Sequence, residues 1–338
     1  MMKYIDLFAG IGGFRVALDS LGLTCVFSSE WDKEAQAVYK DNFGETPEGD
    51  ITQIKSSDIP AHDVLCGGFP CQPFSISGKQ MGFGDVRGTL FNDIIRIAKY
   101  HQPKYLFLEN VANMVNHDDG NTINTIINEL NKANYITHKQ VLNASYFGIP
   151  QARKRLYFIC VRKDFANKVM FSFPKPTYES ISLKDIALHD KEIDKLTVKR
   201  DDITLENNKI ILCKTNTLKP LRVGFLNRGG QGERIYHECG HAITLSAYGG
   251  GVGAKTGLYL INGKVRKLHP QECKRLMAFP DNFKIHPKPY QAYKQFGNAV
   301  VTKMIKNIFK QLVETDTCQR NARTLPLVKN RSATSQTF

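Results

Sequence analysis

The sequence predicts an α/β protein with a mostly parallel sheet covered on both faces, followed by a smaller, mainly β module. Three observations carry this. Short apolar runs alternate with helix-patterned stretches over residues 1–162, the signature of strands joined by helical crossovers. Most of these runs end in glycine or in a polar residue, as strands do where ligands bind at the carboxyl edge of an open sheet. After Pro174-Lys175-Pro176 the periodicity weakens, and residues 223–257 hold two glycine clusters, Arg228 to Arg234 and Ala247 to Gly251.

Each element can be justified in order. Lys3 to Phe8 reads as a strand, Ala9-Gly10-Ile11-Gly12-Gly13 as a tight turn, and Phe14 to Leu21 as a helix. That is the opening of a nucleotide-type fold, with backbone N–H groups able to approach a ligand. It is not the dinucleotide fingerprint, because the third glycine position holds Arg15. Cys25 to Ser29 is a second strand, ending at Glu30-Trp31. Glu30 lies 20 residues after Gly10, the spacing at which an acid meets ribose hydroxyls, and Trp31 could stack on an adenine. Asp50 and Ile51 fall at the next turn. Val64-Leu65-Cys66 is a buried strand running into Gly67-Gly68-Phe69-Pro70-Cys71-Gln72-Pro73. The glycines let the chain turn and Pro70 stiffens it, which would present Cys71 on a rigid loop. Such a thiol is either a nucleophile or a buried structural cysteine, and the loop alone leaves both open.

Residues 75–84 form a polar, glycine-rich loop. Leu90 to Tyr100 is a helix, Tyr105 to Leu108 a strand ending in Glu109-Asn110, and Ile123 to Leu130 a helix. Gln151-x-Arg153-x-Arg155 precedes the strand Leu156 to Val161. Leu268 to Phe279 is helical. Gln295-Phe296-Gly297-Asn298 is expected to open a last helix reaching about Val313. Residues 317–338 hold four basic residues and no acid and read as a disordered tail.

Composition narrows the function classes. The 338 residues include 42% hydrophobic ones, as in a globular protein. Net charge is +14 and the pI is near 9.3, which favours a polyanion, nucleic acid first; a merely basic surface is the plainer alternative. The eight cysteines show no C-x-x-C pair, and neither they nor the histidines have metal-ligand spacing. No run has the length and apolarity of a membrane span, and Met1 to Phe8 does not read as a secretion signal. A cytoplasmic protein with reduced thiols is expected.

Taken together, Asp6 to Phe14, Pro70-Cys71-Gln72, Leu108-Glu109-Asn110-Val111, Gln151-x-Arg153-x-Arg155 and Gln295 to Asn298 stand in the order that resembles the C5-cytosine DNA methyltransferase family. The likeness reaches to about Val313. It implies a Rossmann-like S-adenosylmethionine-dependent methyltransferase fold. Residues 1–180, completed by 298–316, would form the catalytic domain, 181–270 a target-recognition domain and 271–297 a hinge. By the same resemblance Cys71 is the nucleophile, and Glu109, Arg153 and Arg155 surround the target cytosine. Phe8, Gly10, Gly13, Glu30, Trp31, Asp50, Ile51, Pro70, Leu90 and Asn298 match the cofactor pocket.

The glycine clusters resemble those of a GCGC-specific bacterial branch. This implies DNA recognition through Ser77, Gln231, Arg234, Thr244, Tyr248 and Gly251, with methylation of the inner cytosine of 5′-GCGC-3′. The partners expected are double-stranded DNA and, acting separately, a cognate restriction endonuclease, with the chain a monomer in the bacterial cytoplasm. Three rivals remain at this point. A tRNA cytosine methyltransferase is disfavoured by the long glycine-rich module, and a non-catalytic DNA-binding regulator by the intact Cys71, Glu109 and Arg155. A nicotinamide dehydrogenase is disfavoured by Arg15.

Overall fold

The computed structural model describes residues 1–69, 90–167, 169–188, 191–212 and 216–324. The amino-terminal half builds β1 (Lys3–Leu7), α1 (Gly13–Asp19), β2 (Thr24–Ser29), α2 (Lys33–Phe43), β3 (Val64–Gly68), α3 (Leu90–His101), β4 (Tyr105–Val111), α4 (Asn121–Lys132), β5 (Tyr135–Asn143), β6 (Gln151–Ala152), β7 (Lys154–Arg162) and the one-turn α5 (Lys163–Ala166). Five of the strands with β7 form one six-stranded sheet, in the order β2-β1-β3-β4-β7-β5.

Alternation along the strands explains how this sheet is covered. Tyr4, Val64, Cys66, Tyr105, Phe107, Tyr157 and Ile159 point to one face, under Phe14, Ala17 and Leu18 of α1. Ile5, Leu65, Leu106, Leu108, Phe158 and Cys160 point to the other, under α3 and α4. A period of two in the strands therefore feeds two separate apolar layers. Each buried Phe or Leu contributes about 1.5–3 kcal/mol to holding them.

The sheet is mostly parallel, as the sequence predicts, with one reversed strand. β1, β2, β3 and β4 run parallel, but β7 is antiparallel to both β4 and β5. The reason is β5, a strand the sequence pattern does not reveal. The segment joining it to β7 is too short for a helical crossover, so the pair folds back as a hairpin-like turn.

The second sheet has the order β13-β12-β10-β9-β8. Its strands are β8 (Thr204–Leu205), followed by the short α6 (Asn207–Leu212), then β9 (Arg222–Phe225), β10 (Arg234–His237), β12 (Leu258–Ile261) and β13 (Lys264–Arg266). Its own small core is Val223, Leu226, Ile235, Leu258, Leu260 and Val265. One strand of this region, β11 (Ala242–Ile243), leaves that sheet and pairs with β6 instead.

The chain then returns through α7 (Pro270–Leu276), α8 (Pro289–Asn298) and α9 (Thr302–Thr324). Two expectations are corrected here. Gln295 to Asn298 closes α8 rather than opening the last helix; α8 starts at Pro289, where proline's fixed φ suits a first turn. The last helix begins at Thr302 and continues to Thr324, so residues 317–324 are helical backbone and not part of a disordered tail. Met304, Ile305, Ile308, Phe309 and Leu312 of α9 pack into the same layer as α1.

Candidate active site

The strand reversal brings Glu109 and Arg155 together. Glu109 sits near the carboxyl end of β4, opposite Tyr157 of β7, while Val111 faces Arg155. Because β7 runs antiparallel, its first residues lie at the carboxyl edge of the parallel strands. Arg155 is thus the diagonal neighbour of Glu109, within reach across the sheet. Its Nε lies 3.0 Å from Glu109 Oε1. Glu109 is only 9% exposed. Burial raises its pKa, against the opposing pull of Arg155 and Arg153. A carboxyl whose pKa is held above its ordinary value binds a proton more readily, as a proton donor must.

β3 ends beside this pair. Gly68 is the register partner of Glu109, and a Cβ on Gly68 would stand 3.6 Å from Glu109 Oε2. The next residue is tied down as well, since Asn110 Nδ2 donates to Phe69 O at 2.8 Å. Cys71 follows Phe69 by two positions in sequence. Pro70, Cys71 and Ser77 lie outside the described residues.

Most of the residues expected around a cofactor gather at the ends of β1 and β2. Phe8 takes a left-handed φ of 56°, a conformation costing about 1–2 kcal/mol for a residue with a Cβ. Gly10 follows at +57°, and a Cβ there would meet nothing within 4 Å. The Gly10 N–H donates to Glu30 Oε2 and the Asp32 N–H to Glu30 Oε1, both at 2.8 Å. Glu30 therefore clamps the glycine turn to the end of β2, and burial raises its pKa. Trp31 beside it is 74% exposed, an open aromatic face. The Ser28–Glu30 backbone pairs with Glu48, which carries Asp50 and the buried Ile51 to the same edge. Asp50 accepts from Thr52 N at 3.0 Å. Leu90 opens α3 and is partly buried against the α3–α4 layer.

Gly13 has a packing reason: a Cβ there would lie 2.7 Å from Val300 Cγ2. Its bareness lets α1 seat against the chain just after Asn298, which is exposed at the end of α8. The open space at Gly10, the Trp31 face and the Glu30 carboxylate suit a nucleoside carrying a charged chain, as S-adenosylmethionine is.

Arg153 does something the sequence did not indicate. It is 2% exposed, with Nη1 donating to Leu245 O at 3.1 Å and Nη2 to Gly297 O at 3.0 Å and Ala299 O at 2.8 Å. A buried guanidinium must satisfy its donors; these carbonyls take those of the two Nη groups, while the buried Nε has no partner among the described residues. Burial pushes its pKa down to about 9, leaving it charged at neutral pH. It was expected beside the target base; its Nη groups hold the frame, and its charge also acts on Glu109. Gln151, with no role assigned from sequence, accepts Leu245 N on Oε1 at 3.0 Å and donates to Leu276 O at 3.1 Å.

Gly297 was likewise missed. A Cβ there would come within 2.7 Å of the backbone of Ala247, so only glycine lets α8 touch the second glycine cluster. The motif letters for both residues were visible; their distant partners were not.

The two glycine clusters meet each other. Gly253 N donates to Gly232 O at 2.8 Å, and a Cβ on Gly232, at φ +83°, would lie 2.9 Å from Gly250 O. Gln231 and Arg234 are exposed, Tyr248 is 70% exposed and Gly251 has a φ of +84°. Arg234 Nε donates to Gly229 O at 3.2 Å. Thr244 is turned inward, its Oγ1 donating to Ala152 O at 2.6 Å.

Comparison with known proteins agrees with this geometry. The family model for the C-5 cytosine-specific DNA methylase matches residues 2–314. The chain is 55% identical over 307 residues to the type II methyltransferase M.HhaI of Haemophilus parahaemolyticus, covering 91% of this chain and 93% of that one. It is 41% identical to the type II methyltransferase M.HaeII of Haemophilus aegyptius, covering 93% of each. Among solved structures, the Dnmt2 methyltransferase of S. pombe superimposes with a TM-score of 0.71 at 18% identity, over 93% of this chain and 99% of that one. A putative DNA modification methyltransferase from an E. coli prophage does so with 0.68 at 20%, over 93% and 99%; at these identities the likeness concerns the fold. With its Glu109–Arg155 pair at the mouth of a Rossmann-like sheet and its sequence matched almost end to end, the chain belongs to the C-5 cytosine-specific DNA methylases.

Proposed function

We propose that this DNA (cytosine-5-)-methyltransferase modifies the inner cytosine of duplex 5′-GCGC-3′, using Cys71 as nucleophile and Glu109 and Arg155 as its partners. The observation that carries the catalytic part is the Glu109–Arg155 contact of 3.0 Å, set directly across from Gly68 at the root of the Cys71 segment.

The chemistry requires this set. C5 of cytosine is a poor nucleophile. Addition of the Cys71 thiolate at C6 forms a C–S bond and moves an electron pair toward C5, while Glu109 supplies a proton at N3. Arg155 steadies Glu109 and can hold the O2 edge. A free thiol, with a pKa of about 8.5, is only slightly ionised at neutral pH, so positive charge nearby favours attack. S-adenosylmethionine, when bound, supplies the methyl group that C5 accepts. Transfer leaves S-adenosylhomocysteine. Hydroxide or water from solvent takes the C5 proton, and β-elimination breaks the C–S bond and returns the thiolate to Cys71. The N3 proton goes back to Glu109, restoring the ring. The base must leave the helix stack, at a cost of a few kcal/mol. Phe8, Gly10, Glu30, Trp31, Asp50, Ile51, Pro70, Leu90 and Asn298 would hold the cofactor, with Gly13 seating the helix behind it.

The target assignment rests on the two joined glycine clusters. Arg234 can pair bidentately with a guanine edge. Gln231, between Gly230 and Gly232, can enter the stack opposite the departed cytosine. Ser77, Tyr248 and Gly251 complete the interface; Thr244 would act through the loop it anchors. In this reading residues 181–270 form the recognition domain and 271–297 the hinge. The catalytic domain is 1–180 completed by 298–316. The chain acts as a monomer in the bacterial cytoplasm, as the protective half of a restriction–modification system. No helix among the described residues is long and apolar enough to cross a membrane.

The test is bisulfite sequencing of plasmid from cells expressing the protein, with digestion by a nuclease that cuts GCGC. Conversion blocked at the inner cytosine of GCGC alone is expected. Protection of every CG site, or none at GCGC, would overturn the target assignment.

A further inference from the structure

β11 is the strand that leaves its own sheet. It runs beside β6, with Ala242 opposite Gln151 and Ile243 opposite Ala152. The loop bearing Tyr248 and Gly249 to Gly251 springs from Leu245, two residues further on. Both backbone polar groups of Leu245 are held by side chains: its N–H by Gln151 Oε1 at 3.0 Å and its carbonyl by Arg153 Nη1 at 3.1 Å. Gln151 is fully buried and Arg153 nearly so. Ala242 N to Pro150 O, at 2.8 Å, and Thr244 Oγ1 to Ala152 O, at 2.6 Å, complete the attachment.

Two residues beyond Arg153 stands Arg155, whose side chain meets Glu109. One short run of backbone therefore carries the grip on the recognition loop and half of the reactive pair. Arg153 also holds Gly297 O and Ala299 O, the two residues flanking Asn298.

We propose that Gln151 and Arg153 are positioning residues that fix the recognition loop in register with the Glu109–Arg155 pair, so that sequence reading and cytosine placement are set by one buried clamp. Arg153 extends that clamp to the Asn298 side of the cofactor pocket, whereas Gln151 does not. The inference rests on the reading of the 246–251 loop as a DNA contact.

The test compares Gln151→Met, Gln151→Ala, Arg153→Lys and Arg155→Lys. Single-turnover methylation is measured on GCGC duplexes and on duplexes altered at one guanine, and S-adenosylmethionine affinity is measured without DNA. Gln151→Met and Gln151→Ala are expected to raise the KM for DNA and reduce discrimination roughly tenfold, about what one buried hydrogen bond is worth, with cofactor affinity unchanged. Arg153→Lys should do the same and also weaken cofactor binding. Arg155→Lys should lower the rate of chemistry with discrimination intact. Gln151→Met is nearly isosteric and covers the case in which Gln151→Ala fails to fold, which melting curves reveal. Gln151 variants that fold, as those curves show, and keep full discrimination, or lose only the rate of chemistry, would overturn the proposal. Failure of the underlying loop reading would appear separately, as unchanged discrimination in Tyr248→Ala with the clamp intact.

Discussion

The two sheets hold the residues proposed for chemistry and those proposed for base reading in opposite ways. In the six-stranded sheet Glu109 is part of a strand and buried, with its neighbour Asn110 bound to backbone. Around the five-stranded sheet Gln231 and Tyr248 project from loops and Arg234 from the first residue of a strand, all exposed. Bond making needs atoms fixed in a dry, low-dielectric place, where a carboxyl can keep its proton. Reading a base edge needs donors that can reach into a groove and adjust. Substitutions in the first region should therefore abolish turnover and those in the second should redirect it.

The largest effect is expected from Cys71→Ser. A serine hydroxyl is far less ionised than a thiol near neutral pH, so methyl transfer should fall below detection while DNA binding remains. With 5-fluorocytosine at the target and S-adenosylmethionine present, the parent protein should form a denaturation-resistant band with DNA, because fluorine cannot leave C5 as a cation. No band with the parent protein would refute covalent catalysis.

Glu109→Gln comes next, with an expected loss of about 10²–10⁴ in single-turnover rate, the scale of a missing general acid. Burial holds the Glu109 pKa above its ordinary value. The protonated fraction falls as pH rises through that raised value, so the parent rate should decline on the alkaline side and Glu109→Gln should lack this limb. The sign for stability is the same. The folded state binds the proton more tightly than the unfolded chain. The neutral carboxyl's contribution is complete below the ordinary Glu value and is lost as pH rises through the raised one. Urea titrations across pH, parent against Glu109→Gln, read this directly.

The joint between the two regions offers a third test. Arg266, at the end of β13, and Glu272, in α7, form a bidentate pair at 2.7 and 2.8 Å with both side chains buried. Glu272 also accepts the N–H groups of Leu188 and His269. Glu272→Gln leaves the arginine charge uncompensated and should cost about 3–5 kcal/mol in urea unfolding. Replacing both partners with apolar residues should recover much of that loss. If Glu272→Gln unfolds like the parent, the pair is not what joins the regions.

What the sequence revealed follows the same division. The β1 turn, the Glu109 strand end and the end of β3 at Gly67-Gly68 are local patterns, readable from apolar runs closed by glycine or a polar residue. β5 was not readable because its middle, His138-Lys139-Gln140, is polar and partly exposed, as an edge strand allows. Missing β5 hid the reversal of β7, and with it the reason Arg155 reaches Glu109. Arg153 was legible as a motif letter only. Its partners Leu245 and Gly297 lie 92 and 144 residues away, a separation no local pattern encodes. The Gln295 to Asn298 motif was visible but assigned to the wrong end of a helix, since Pro289 at the start of α8 is the stronger boundary signal.

The smallest effect is also the most specific. Arg234 opens β10, where Phe225 is its register partner on β9. Its Nε donates to Gly229 O, which orients the guanidinium while its Nη groups have no hydrogen-bond partner among the described residues. A guanidinium fixed at one nitrogen loses less freedom when its outer nitrogens meet a guanine O6 and N7. Arg234→Ala should therefore reduce discrimination at one guanine by about 1–3 kcal/mol and leave the rate of chemistry on saturating GCGC duplex near that of the parent. Arg234→Lys restores the charge but not the fork. If Arg234 only contacts phosphate, lysine should rescue fully, and affinity for all duplexes should fall together with a shallower salt dependence. If it reads the guanine, lysine should rescue overall affinity but not discrimination. Competition between GCGC and single-substituted duplexes at two salt concentrations separates the two outcomes. It would show whether the exposed half of the molecule contributes sequence information or only positive charge.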